Sequence, residues 1–132
     1  MEPFLGTWKL TESDGYDELM RRLGVNAVMA KIGSTLKPKY SFTDLGDGRY
    51  QIRMDSTMKK AEFTFKLGEE CDEVTPDDRH VKSTVTVEDG VMKQVQVGKP
   101  RSTLVERVVE GNTMTVTVKL DDFVCKRKYT KC

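Results

Sequence analysis

The chain has 132 residues, a length that fits one domain spanning 1–132. Its 22 Lys and Arg nearly cancel its 21 Asp and Glu, and the formal net charge of +1 excludes the basic excess of a nucleic-acid-binding protein. No stretch is apolar for long enough to cross a bilayer, and the three cysteines, Cys71, Cys125 and Cys132, are widely spaced without a Cys-x-x-Cys, as in a reduced cytosolic protein.

The opening "MEPFLGTWKL" carries an acid at Glu2 and lacks the apolar core of a secretory signal. "GTWKLTES" reads as a first strand. The rhythm then changes. Tyr16, Leu19, Met20 and Leu23 fall at i, i+3, i+4 and i+7, one face of a helix that Gly24 suits as a terminator. Asn26 can cap a second short helix carrying Val28, Met29 and Ile32, with Gly33 at its end. The helical segment covers about 15–34.

From there the chain alternates with period two, the mark of strands with distinct faces. "KYSFT" is a short candidate. "RYQIRM" aligns Tyr50, Ile52 and Met54; "AEFTFKL" aligns Phe63, Phe65 and Leu67; "VKSTVTVE" aligns Val81, Ser83, Val85 and Val87. "VMKQVQV" and "STLVERVV" follow, then "TMTVTVKL" with Met114, Val116, Val118 and Leu120. In the closing "VCKRKYT", Lys126, Lys128 and Thr130 share one face, and Cys125, Arg127 and Tyr129 share the other. That parity aims Arg127 and Tyr129 at whatever the sheet encloses.

Turn signals separate the runs: Gly46-Asp47-Gly48, Gly68-Glu69-Glu70, Asp77-Asp78, Asp89-Gly90, Gly98-Lys99-Pro100, Gly111-Asn112 and Asp121-Asp122. Asp89-Gly90 is the strongest hairpin cue. The pattern predicts a mainly β protein: a ten-stranded antiparallel up-and-down barrel, or β-clam, with every strand joined to its neighbour by a tight turn. Closure removes the exposed edges. Roughly eight strands enclose a space that side chains fill or that holds one small ligand, so about ten should leave an internal cavity, with the helix-turn-helix as its lid.

"GTWKLTESDGYDELMRRLG" (Gly6 to Gly24) resembles the N-terminal segment of the intracellular fatty-acid-binding proteins, cytosolic members of the calycin group that include the cellular retinoid-binding proteins. The shared elements are Gly6, Trp8, Leu10, Gly15-Tyr16-Asp17 and Leu19-Met20. "KLGEE" followed by "DDRHVKS" resembles the middle of that family, and "STLVER" and "VCKRKY" its C-terminal strands.

The resemblance implies reversible binding of a long-chain fatty acid inside the barrel, without a cofactor, a metal or catalysis. It matches Arg127 and Tyr129 to the family's carboxylate-gripping Arg-x-Tyr, and Arg107 to its second internal arginine. A one-residue change of phase in that strand would exchange Arg107 with Glu106. Tyr16, Met20, Pro38, Asp77, Arg79 and Gln96 match further pocket positions, with a simple loop ion pair as the lesser alternative for Asp77 and Arg79. Leu23, Val116 and Val118 belong to the apolar lining by face. Met58 stands where many relatives carry a portal phenylalanine, and Cys71 where an aromatic is usual.

The chemistry suits these residues. A permanently charged guanidinium offers a carboxylate a matching fork, and a tyrosine hydroxyl adds a donor. Another hydrophobic carboxylate, such as a retinoic acid, fits as well, whereas two arginines argue against retinol. Arg21, Arg22 and Lys31 form a candidate basic patch on the lid for transient contact with anionic membranes, or for nuclear entry of a mostly cytoplasmic monomer. A peripheral membrane protein is therefore a third reading, weakened by the small net charge. An enzyme has little support: there is no Gly-x-Ser-x-Gly, and the lone His80 sits by a turn.

Overall fold

Tight turns decide the topology. Asp89 and Gly90 both take positive φ, 50° and 80°, the pairing a two-residue hairpin needs, and glycine adopts it without a Cβ penalty. The computed structural model describes residues 1–99 and 101–132. The elements are β1 (Gly6–Asp14), α1 (Tyr16–Arg22), α2 (Ala27–Thr35), β2 (Lys39–Gly46), β3 (Arg49–Asp55), β4 (Lys60–Lys66), β5 (Glu70–Val74), β6 (His80–Glu88), β7 (Val91–Val97), β8 (Thr103–Glu110), β9 (Thr113–Leu120) and β10 (Phe123–Lys131). The expected turn at Gly98-Lys99-Pro100 lies partly outside the described residues, because Pro100 is not among them.

All ten strands form one antiparallel sheet in the order β4-β3-β2-β1-β10-β9-β8-β7-β6-β5. β1 pairs with both β2 and β10, which curls the sheet into a nearly closed barrel. One expectation fails here: β4 and β5 follow each other in sequence yet are the two sheet edges and do not pair. Their connection is held instead by Gly68 N–H donating to the Val85 carbonyl of β6 at 2.8 Å. Leu67 consequently leaves the predicted inward face and is exposed in the turn.

Two apolar clusters close the barrel from opposite ends. One gathers Phe4, Trp8, Leu10, Phe42, Phe65, Val85, Met92, Met114 and Tyr129. The other lies under the helices, with Leu19 and Met20 of α1 and the following Leu23 packed with Ala30, Leu120 and Cys125. β9 reaches from one cluster to the other, with Met114 in the first and Leu120 in the second. β10 does the same with Tyr129 and Cys125, so Arg127 is left between them.

The helices start as expected and end differently. Gly24 at φ 96° follows α1, a left-handed geometry that a side chain would strain. The Asn26 side chain accepts from Met29 N–H at 2.9 Å and caps α2. Gly33, however, does not end α2, which runs to Thr35. Nor is its apolar side buried. Ala30 is the residue α2 packs inward, while Val28 and Met29 are 70% and 50% exposed. The small Ala30 lets the helix lie close on the α1 cluster, and that contact turns the larger side chains away from it.

Candidate functional site

Alternation along β10 puts Cys125, Arg127 and Tyr129 inside and leaves Lys126 and Lys128 on the outer surface. β8 resolves the same way. Arg107 points inward, and Glu106 points outward to pair with Lys119 at 2.6 Å. Val116 of β9 is the register partner of both Arg107 and Arg127. The two arginines therefore stand level across one intervening strand, with Cα atoms about 10 Å apart. A single anionic group between them is within reach of both forks.

Arg107 is 8% exposed and Arg127 4%. Among the described residues neither pairs with a carboxylate. Arg127 instead lies 3.9 Å from the centre of the Tyr16 ring, and its Nε is buried without a partner. Arg107 donates only to the weak acceptor Met92 Sδ at 3.6 Å and lies over Phe42. Burial opposes the charge on both groups. At Arg107 burial wins and the pKa falls; at Arg127 the Tyr129, Tyr16 and Tyr40 oxygens outweigh it and the pKa rises.

The tyrosines remain proton donors. Burial pushes the Tyr16 hydroxyl up to about 12 and raises Tyr129 and Tyr40 as well. The Tyr129 ring meets Tyr40 edge to face, with centroids 5.5 Å apart. Burial likewise pushes the Cys125 thiol up to about 11, as suits an unreactive packed side chain. Cys71, Cys125 and Cys132 are all free, Cys132 on the surface.

An inner chamber of about 110 Å³ and an outer chamber of about 470 Å³ share Tyr16, Met20, Tyr40 and Arg127 as a common wall. Every expected site residue lines one or the other. The inner chamber takes Tyr16, Met20, Leu23, Asp77, Arg79, Gln96, Arg107, Val116, Val118, Arg127 and Tyr129. The outer one adds Pro38 and Met58, the latter 63% exposed at its mouth with Met29 and Ile32 nearby. Asp77 and Arg79 do form the loop ion pair, at 2.6 Å, and border the cavity at the same time.

The sequence reading missed two groups. Tyr40 shares strand parity with the buried Phe42, a signal sufficient to place it inside. Glu73, 7% exposed, sits within the acidic run "GEECDEV" and carries no such cue. His80 is an exposed strand start, as expected.

A helix-capped β-clam with an internal cavity and two buried guanidiniums outside any salt bridge among the described residues has the features of a site for a hydrophobic anion. The family model described as "Lipocalin / cytosolic fatty-acid binding protein family" matches residues 5–131, and the chain belongs to that family. Fatty acid-binding protein homolog 2 of Echinococcus granulosus is 54% identical over 131 residues, 99% of this chain and 98% of the relative. The crystal structure of Echinococcus granulosus fatty-acid-binding protein 1 superposes with TM-score 0.96 at 54% identity, over 99% of this chain and 98% of that one. A Schistosoma mansoni fatty acid binding protein solved in complex with arachidonic acid gives TM-score 0.94 at 40% identity, over 100% and 98%.

Proposed function

We propose that the chain is a non-catalytic, single-domain cytosolic carrier that binds a long-chain fatty acid reversibly inside the barrel. Arg127 and Tyr129 hold the carboxylate, with Arg107 as the second cation. The observation that carries this reading is the pair of buried guanidiniums that make no salt bridge among the described residues, Arg127 having no buried carboxylate acting on it and Arg107 only the nearby Glu73. An isolated buried charge is costly, so the site is arranged for an anion that arrives with the ligand. The tail gains about 0.8 kcal/mol per methylene removed from water. For some sixteen methylenes the gross gain is near 12 kcal/mol, and association costs bring the dissociation constant to roughly micromolar to nanomolar. The fatty-acid-binding relatives support the ligand class.

Titration of oleate against oleyl alcohol tests the anchor. Wild type should prefer the acid, and Arg127→Gln should lose that preference; a preference that survives unchanged overturns the assignment. Competition between oleate and retinoic acid separates the two carboxylate classes. Exchange with anionic membranes through Lys31 and the exposed Val28 and Met29 belongs to the same proposal, although Arg21 and Arg22 are both engaged by Glu18. Vesicle co-sedimentation with and without salt checks it.

A further inference from the structure

Opposite in chemistry to the arginines, a buried polar cluster spans β5 to β8. The Glu73 carboxyl oxygen Oε1 accepts from Ser83 Oγ, from Gln94 Nε2 at 2.8 Å and from Gln96 Nε2 at 3.0 Å. Thr103 Oγ1 in turn donates to Gln96 Oε1 at 2.6 Å. These side chains are all nine-tenths or more buried, and Glu73, Gln94, Gln96 and Thr103 line the inner chamber beside Arg107.

The cluster is short of donors. All three donors around Glu73 converge on Oε1, none reaches Oε2, and the residue lines the inner chamber. Gln94 Oε1 is buried without any donor. A buried acceptor left unmatched costs about 1–3 kcal/mol. A saturated tail laid against Glu73 Oε2 supplies nothing to it, whereas a hydroxyl does.

We infer that Glu73, oriented by Gln94 and Gln96, forms a second polar subsite that favours long-chain acids carrying a hydroxyl part-way along the chain. This rests on the fatty-acid reading above and adds a selectivity that two arginines cannot give. Strand register fixes where the hydroxyl must lie. Gln94 is paired with Val105 and Gln96 with Thr103, two and four residues along β8 from Arg107. At about 3.3 Å per residue, the subsite lies roughly 7–13 Å from the arginine level. With the carboxylate at the arginines, that distance meets the middle of an extended tail and neither of its ends.

The test is competitive binding of stearate and a positional series of hydroxystearates, with the hydroxyl near the carboxylate, at mid-chain and near the methyl end. One mid-chain isomer should bind roughly fivefold tighter than the methyl-end isomer, the return expected for one net hydrogen bond. In Glu73→Gln the affinity ratio between the mid-chain and methyl-end isomers, each taken relative to stearate on the same variant, should shrink toward one. Stearate binding with a flat positional profile in the wild-type protein overturns the subsite alone, whether or not the variant folds. Failure of stearate and every isomer to bind removes the carrier reading and the subsite together.

Discussion

The two ends of the barrel are built on opposite terms. At the base, Trp8, Phe4, Val85, Met92 and Met114 are sealed at 0–1% exposure, and Trp8 Nε1–H donates to the Phe4 carbonyl at 2.9 Å. At the helical end, α1 is anchored through Leu19, Met20 and Leu23, but α2 buries Ala30 and leaves Val28, Met29 and the neighbouring Met58 in solvent. Lys59 donates to Asp78 at 2.6 Å across the mouth, an exposed pair of small energetic weight. The contrast separates stability from exchange: one end keeps the barrel closed, and the other carries little packing to break when a ligand passes.

The sharpest way to break this contrast is at the base. Trp8→Ala should lower unfolding free energy by about 3–5 kcal/mol, read from urea melts, far more than any change in α2. Between the two ends, replacing Arg127 by Gln should raise the stability of the ligand-free protein by on the order of 1–4 kcal/mol, because a buried charge with no carboxylate partner is removed. The same melts give that figure, and a destabilised variant would contradict it.

Alkali probes the same interior. Folded Tyr16 holds its proton to about pH 12 and Tyr129 higher still, whereas unfolded tyrosines release theirs near 10. Above pH 10 the folded state therefore binds more protons than the unfolded state. Stability should be level in this respect below pH 10 and fall above it, by up to about 1.4 kcal/mol per pH unit for each buried tyrosine. Tyr129→Phe should flatten that slope. The smallest effect belongs to the lid: Asn26→Ala should cost about 1 kcal/mol locally, speeding oleate release in stopped flow while hardly moving the global melt.

Much of this is readable because β6, β9 and β10 alternate cleanly and Asp89-Gly90 marks the hairpin from β6 to β7. Parity sets Arg127 on the face opposite Lys126 and Lys128, and the family resemblance is what makes that face the inner one. β8 was ambiguous, since Leu104, Val105, Val108 and Val109 put apolar groups on both faces of the strand. β7 runs against the simple rule: Gln94 and Gln96 face inward, while Val95 and Val97 are 44% and 54% exposed. A barrel with a polar interior inverts the usual sign of burial there, and Gln96 was placed by family resemblance, not by its pattern. Glu73 was hidden for the same reason, its inward direction being a tertiary fact. The lid's second helix misled because a short apolar stripe does not say whether it packs on protein or borders an opening.

The most direct measurement follows the ligand's own headgroup. Oleate labelled with carbon-13 at its carboxyl carbon, bound to the wild-type protein, should give a resonance that stays in the ionised position well below the pH at which free carboxyls protonate, because two buried guanidiniums stabilise the anion. Arg107→Gln with Arg127→Gln should restore ordinary titration. A wild-type resonance that titrates like a solvent-exposed carboxyl would contradict the internal anion site.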